Sequence, residues 1–424
     1  MPVMSRMVGS GHAVRIMAGP GVRPSRIPIS SDLLRRIATS GAALVPFCEP
    51  TVHPFDGTAP PKGLFGTWVP PGFKTIAFEA QFEAQTGAWA PAWATNVAEE
   101  LRNQATDLVV ADFVLTGALA AAEAAGLPSV VLAHNVVLGP VPGVPPKGPG
   151  WLPARGPFGR ARAALGRTII TNLYRHISLP PLNEARARLG LAKLRSPFEQ
   201  YERAARVLLL ASAAWDYPAL QLPDNFRYVG TPIDDVESGP WVSPWPLTDT
   251  RPLLLVSLST LNQGQAPLMQ RILSAVAALQ ELRVLVTFGP SLNPADFKTA
   301  PNVRAERFIP HSAVLPHIAA MVTQCGLGTI GKALACGVPL LCIPLHADQP
   351  DNAARIVARG VGIRVRSDAS SEEIGSAIQR LIAEPRFRRA ASALSATLMQ
   401  EGDAAQRAVD EIEAIGYTRS PMRA

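Results

Sequence analysis

Apolar residues fall along this chain in two rhythms. Short, near-continuous runs recur: LVVADFV (108–114), SVVLA (129–133), RVLLLAS (206–212), PLLLVS (252–257), RVLVTFG (283–289), VPLLCIP (338–344) and GVGIRV (360–365). Such runs suit strands buried on both faces. Between them lie stretches with helical spacing: 28–40, 76–104, 115–125, 161–190, 197–205, 266–281, 371–397 and 402–415. A further helix is expected through SAVLPHIAA (312–320). Strands alternating with helices across both halves predict an α/β protein of two Rossmann-like, doubly wound parallel-sheet domains facing a cleft. The expected boundaries are 1–232 for the first domain, a turn-rich linker at 233–250, a second domain at 251–400, and a closing helical segment at 401–424.

Two segments break the alternation. Residues 51–75 carry Pro, Gly and the rings of His53, Phe55, Phe65, Trp68 and Phe73. They read either as a loop on the substrate side of the cleft or as ordinary loop packing. Residues 136–160 are too rich in Pro and Gly for regular structure and read as a loop or lid, with Trp151 and Phe158 as its apolar contacts.

The most informative stretch is 322–356, which reads as strand, glycine loop, helix, strand, acidic-amide loop, helix. Its two loops would lie at the carboxyl ends of adjacent strands, where open α/β sheets bind ligands. The first, CGLGT (325–329), feeds a helix N-terminus, whose free N–H groups and dipole favour a phosphate. The second offers Asp348, Gln349 and Asn352, suited to holding hydroxyl groups. Phosphate at one loop and polyol at the next suggests a nucleotide sugar. A competing reading takes Gly326-Leu327-Gly328-Thr329-Ile330-Gly331 as the G-x-G-x-x-G of a nicotinamide fold. That reading leaves Pro310-His311 and Asp348-Gln349 unexplained.

The stretch resembles the donor-binding signature of the GT-B glycosyltransferases that act on macrolides, sterols and plant secondary products. The matching residues are Phe308-Ile309-Pro310-His311, then Thr323-Gln324-Cys325-Gly326-Leu327-Gly328-Thr329, then Gly337-Val338-Pro339, then Asp348-Gln349 with Asn352 three residues on. Three family positions differ: glutamine becomes His311, histidine becomes Gln324, and glutamate becomes Lys332. The resemblance implies that Phe308 stacks on the nucleotide base and His311 contacts it, although either also fits a packed strand end. It implies that Ser259 and Thr260, in the first loop of the second domain, touch the donor phosphate or sugar. It also implies that the last helix crosses back to the first domain, and that Asp112 is the aspartate that orients a catalytic histidine. As a strand-end acid, Asp112 could instead cap the next helix. Lys332 could bond a ribose oxygen or the diphosphate, or simply face solvent. If it acts on the donor, a TDP-sugar, which lacks the ribose 2′-hydroxyl, becomes the expected donor over UDP-glucose.

Composition narrows the class. Of 424 residues, 47% are apolar and 17% charged, which excludes a disordered chain. The net charge of +7 is spread through arginine-rich helices rather than gathered in a tract, which argues for a solvated surface and against nucleic-acid binding. The four cysteines show no metal-ligand spacing, and the three in the donor stretch read as buried packing residues in a reduced cytoplasm. No Asp-x-Asp occurs, so no metal-bridged diphosphate is expected. The apolar span 108–133 is interrupted by Asp112, Glu123, Gly126 and Pro128 and does not read as a transmembrane helix.

The beginning departs from the family. Gly11-His12 occupies the turn before the family's second strand, so His12 reads as a surface turn residue and not as the catalytic histidine. The first strand and its histidine-bearing loop are missing from the expected place, which suggests a start site set too late. Without a histidine to orient, Asp112 alone would be a poor base for an alcohol, because a carboxylate is only weakly basic. The sequence therefore predicts an inverting, metal-independent transfer of a hexose from a nucleotide-diphosphate sugar to a hydroxyl of a lipophilic small molecule, with no cofactor. The alternative is an impaired relative that binds nucleotide sugar or a partner enzyme.

Overall fold

A computed structural model describes residues 2–17, 37–45, 84, 86–136, 139–219, 221–233, 241–258 and 264–417. The expected loop at 51–75, and with it Ser259 and Thr260, lies outside the described residues.

The chain opens with helix α1 (Pro2–Gly9), the Gly11-His12 turn and strands β1 (Arg15–Met17) and β2 (Ala43–Val45), which pair in parallel. Next come α2 (Ala90–Asn103), β3 (Val109–Asp112), α3 (Thr116–Ala124) and β4 (Ser129–Ala133). Helices α2 and α3 pack so closely that a Cβ on Gly117 would stand 1.9 Å from the Ala90 carbonyl oxygen. The Pro/Gly loop ends earlier than the composition suggests. Helix α4 runs Gly156–Ile177, because Pro157 is tolerated in a first turn and an unbroken helical rhythm follows. Phe158 does not make the apolar contact expected of it; it is 92% exposed. Then follow α5 (Leu179–Arg188), the short α6 (Glu199–Glu202), β5 (Arg206–Leu209) and β6 (Phe226–Tyr228). Strands β3 to β6 form one parallel sheet in sequence order.

The second sheet contains β7 (Leu253–Ser257), β8 (Arg283–Thr287), β9 (Val303–Glu306), β10 (Ala320–Thr323), β11 (Leu340–Cys342) and β12 (Gly362–Arg364). They are ordered β12-β11-β10-β7-β8-β9, every pairing parallel. Helices α7 (Ala266–Ala277), α8 (His311–Val314), α9 (Leu327–Ala335), α10 (Gln349–Ala358), α11 (Ser371–Ala383) and α12 (Pro385–Gln400) make the crossovers and close the faces. The helix expected through 312–320 is one turn, α8, followed by a 3₁₀ turn at Leu315–His317. Pro316 interrupts it, and Ile318 is already extended. The central strands β7, β10 and β11 are buried at every position.

The closing helix, α13 (Ala404–Tyr417), lies against the first sheet. Its Ala408, Val409 and Ile412 pack with Val3, Val130, Leu208 and Val229. His12 in the opening turn meets Glu413 on this helix at 2.9 Å. No described helix is long and apolar enough to cross a membrane.

Candidate functional site

Parallel pairing places the carboxyl ends of all strands of a sheet on one edge, and the candidate site residues collect there. In the first sheet Asp112 is the last residue of β3 and pairs with Leu132 of β4. His134 stands two positions beyond Leu132, at the end of β4. Its Nδ1 is 3.0 Å from Asp112 Oδ2. The other carboxylate oxygen, Oδ1, accepts the Val114 N–H at 3.1 Å, which holds the group in place. The expectation that Asp112 stands without a histidine is therefore wrong. Neither residue announces the other along the chain; only the register of β3 on β4 brings them together.

With Nδ1–H donated to Asp112, a neutral His134 ring presents Nε2 as an acceptor. Burial in the site works to lower the His134 pKa. The hydrogen bond and charge of Asp112, together with the charge of Asp348, outweigh burial and the nearby Lys147, and the net direction is upward. Over half of the side chain, 57%, still faces open space. The ring meets Phe113 edge-on, centroids 4.8 Å apart. Phe113 in turn forms one wall of a pocket, closed by Ile170 and Tyr174 of α4 and by Tyr201. Lys147 on the Pro/Gly loop lies over both the Phe113 and Tyr174 rings.

In the second sheet, β10 ends at Thr323, beside Cys342 at the end of β11 and near Ser257 at the end of β7. Gln324 follows, buried, with its Oε1 accepting the Thr323 hydroxyl at 3.3 Å. Cys325 then turns the chain through φ +72°, a left-handed conformation uncommon for a residue with a side chain. Gly326 is the N-cap of α9 and supplies no side-chain cap, so the first turn of the helix keeps its amides for an incoming anion. A Cβ on Gly328 would meet nothing within 4 Å, so the space above the helix end is open. Thr329 is half-buried beside it, and so is Lys332 one turn on. The third glycine of the apparent dinucleotide pattern has another duty: a Cβ on Gly331 would stand 2.6 Å from Thr231 of the first half.

The second loop carries another left-handed non-glycine residue, Ala347, at φ +55°. Asp348 is the half-buried N-cap of α10. The amides of Gln349 and Asn352 are buried and hold the loops rather than face outward. Gln349 Oε1 accepts the Leu345 and His346 N–H groups at 2.8 and 3.1 Å. Asn352 Nδ2 donates to the Cys325 carbonyl at 3.0 Å and to Asp348 Oδ2 at 2.6 Å, tying the second loop to the first. Asn352 Oδ1 is buried without a hydrogen-bond partner. His311, at the start of α8, contacts the Ser257 hydroxyl through Nε2 at 3.1 Å, and Phe308 is 64% exposed nearby in sequence. Cys325 and Cys342 are buried, as expected; Cys336 is exposed, contrary to expectation. Burial drives the Cys325 thiol pKa well up, so it stays an inert packing group. Among the described residues no group of three His, Cys, Asp or Glu side chains gathers to ligate a metal.

The two edges face each other across firm contacts. The Asp351 carboxylate on α10 accepts the Gly148 and Gly150 N–H groups of the Pro/Gly loop at 2.6 and 2.7 Å. Arg364 donates to the Gly150 carbonyl at 2.9 Å. Arg355 of α10 pairs with Asp216 at 2.5 Å, both buried, and lies over the Tyr217 ring. Asp216 also accepts the Tyr228 hydroxyl at 2.8 Å. Thus the His134–Asp112 pair of one sheet and the Cys325 and Asp348 loops of the other border one cleft, near enough that the Asp348 charge acts on His134.

Comparison with known proteins gives a consistent picture. The family described as erythromycin biosynthesis protein CIII-like, C-terminal domain, matches residues 270–414. The 4'-demethylrebeccamycin synthase of Lentzea aerocolonigenes is 30% identical over 442 residues, covering 98% of this chain and 95% of that protein. The zeaxanthin glucosyltransferase of Pseudescherichia vulneris is 29% identical over 298 residues, 67% of this chain and 68% of its own. Among solved structures, the calicheamicin glycosyltransferase CalG4 superposes with a TM-score of 0.69 at 21% identity, over 99% of this chain and 95% of that one. The glycosyltransferase VinC, solved in complex with dTDP, gives 0.66 at 20% identity, over 98% and 95%.

Proposed function

The chain belongs to the UDP-glycosyltransferase-like GT-B family of secondary-metabolite glycosyltransferases, and from that premise we propose that it transfers a hexose, with inversion, from a nucleotide-diphosphate sugar to a hydroxyl of a lipophilic small molecule. The observation that carries this reading is the juxtaposition of the His134–Asp112 pair with Asp348 across the cleft. A base on the acceptor side and a sugar-holding carboxylate on the donor side are the two halves of such a transfer.

His134 Nε2 takes the proton of the acceptor hydroxyl, and Asp112 stabilises the imidazolium that results. The acceptor oxygen attacks the anomeric carbon from the face opposite the diphosphate, and the bond from that carbon to the diphosphate oxygen breaks. The leaving nucleoside diphosphate gains charge where the amides of the first turn of α9 and the Gln324 side chain can receive it. No metal is needed for that step in this reading. Asp348 meets the sugar hydroxyls. Gln349 and Asn352 act one step back, by fixing the loops that present Asp348 and the α9 amides. Phe308 and His311 lie on the segment proposed to meet the base; Ser259 and Thr260 complete the donor side. The lipophilic acceptor lies in the pocket walled by Phe113, Ile170 and Tyr174. Known structures of the fold include one with dTDP bound, which supports a nucleoside-diphosphate leaving group. Lys332 in place of glutamate favours a TDP-sugar over a UDP-sugar.

The test incubates the full chain with UDP- and TDP-hexoses and a panel of hydroxylated polycyclic acceptors, with glycosides detected by mass. Product is expected from wild type, and a fall of roughly 10²- to 10⁴-fold in kcat from His134→Asn. Tight nucleotide binding without glycoside or donor hydrolysis would favour the impaired relative instead. Absence of nucleotide-sugar binding would sink both.

A further inference from the structure

One face of the molecule has no role in the cleft. Between Glu123 and Glu184 the chain holds no acidic residue and six basic ones: Lys147, Arg155, Arg160, Arg162, Arg167 and Arg175. Most of them sit on helix α4 or at its entrance. Arg155, Arg160, Arg162 and Arg175 are exposed, and among the described residues none of the four makes an ion pair. The same helix exposes Phe158 at 92%, Leu165 at 63% and Ile169 at 54%. Their spacing, seven residues and then four, puts the three within an arc of about 40° on a helical wheel. Leu152, 49% exposed, lies just before the helix.

An apolar stripe with Arg162 about 40° to one side and Arg175 about 100° to the other, on a helix with no acidic residue, is the chemistry of a surface that rests on an anionic bilayer. We propose that α4 and the segment leading into it lie in the interface of a bilayer carrying anionic lipid. The stripe enters the headgroup region, and the arginines meet lipid phosphates. A helix this polar lies on the bilayer and does not cross it, in keeping with its failure as a spanning segment. Its inner side, through Ile170 and Tyr174, lines the pocket beside Phe113 and His134. A lipophilic compound dissolved in the bilayer would thus meet the pocket across one helix. Bilayer binding itself does not depend on the sugar transfer proposed above.

The experiment is flotation of the full chain with vesicles of about 30% phosphatidylglycerol in phosphatidylcholine, against phosphatidylcholine alone, in low and in about 0.5 M salt. The anionic vesicles are expected to carry at least about five times more protein than the neutral ones, and to lose most of it at high salt. Phe158→Ser with Leu165→Ser, and separately Arg155→Gln with Arg175→Gln, should each cut the bound fraction about fivefold or more. All four positions are exposed, so unchanged circular dichroism spectra will show that the variants are folded. No flotation with anionic vesicles overturns the proposal, as does equal flotation of wild type and variants. A wild-type chain that stays off vesicles but self-associates through a contact removed by Phe158→Ser also overturns it, in favour of a protein interface. Glycoside formation in solution, measured on the same preparations, separates a failure of this proposal from a failure of the sugar-transfer reading.

Discussion

Asp112 and His134 divide the work of one base between a charge and a ring. The carboxylate is pinned by the Val114 amide, so it aims the imidazole instead of drifting toward solvent. The pH behaviour follows from the raised pKa of His134. Only the neutral ring accepts a proton, so the rising limb of kcat against pH should lie above the ordinary imidazole value of about 6.5. Asp112→Asn keeps an acceptor for Nδ1–H but removes the charge. It should lower kcat and move that limb to lower pH; a limb that stays in place would mean Asp112 is only a brace. The linked stability term has the sign of a raised histidine. It is fully present below the unfolded pKa and is lost as pH rises through the folded one. Asp112 alone was the part of this pair legible in the chain. A strand-end histidine in LAHN carries no mark of function until the pairing of Asp112 with Leu132 sets the register. The same holds for Gln349 and Asn352: their residue types suit sugar hydroxyls, but burial directs them to backbone groups.

At the level of elements, the Pro/Gly loop and helix α10 behave as one unit. Asp351 caps two loop amides that are otherwise buried. Asp351→Ala leaves both unpaired and should cost about 2–4 kcal/mol, read as a lowered denaturation midpoint. Gly150→Ala tests the approach itself. Its φ is +63°, and a Cβ would stand 2.5 Å from the Pro350 carbonyl oxygen. That variant should free the loop, speed proteolysis within 139–155, and raise KM for the acceptor more than for the donor. The strands of the second sheet were legible because burial on both faces writes itself as runs such as LLLVS and AMVT, each buried throughout. Helix ends were less so. Pro157 reads as a breaker but begins α4, whereas Pro316 does break α8; the difference is position within the turn, which composition does not carry.

At the scale of the whole molecule, the buried pair of Arg355 and Asp216 ties the two halves together. The Tyr228 hydroxyl donates to Asp216, and burial, aided by that neighbouring carboxylate, drives the tyrosine pKa far up. Asp216→Ala should destabilise by about 3–5 kcal/mol, since it strands a buried guanidinium, and Arg355→Leu in the same chain should recover a good part of the loss. Denaturant titration of the two single variants and the double variant checks the coupling; additive losses would mean the pair does not bind the halves together. The alternation of strands and helices forecast two parallel sheets, and among the described residues two large ones are found, with β1 and β2 pairing apart from them. The contacts between them were not forecast, because they join residues such as Asp216 and Arg355 that are 139 positions apart.

The return of α13 to the first sheet gives the backbone two bridges between the halves, one after β6 and one just before α13. Two bridges define a line. The motion that stretches neither is rotation about that line, as a door turns on a pair of pins. Any swing of one half against the other would therefore follow a single arc.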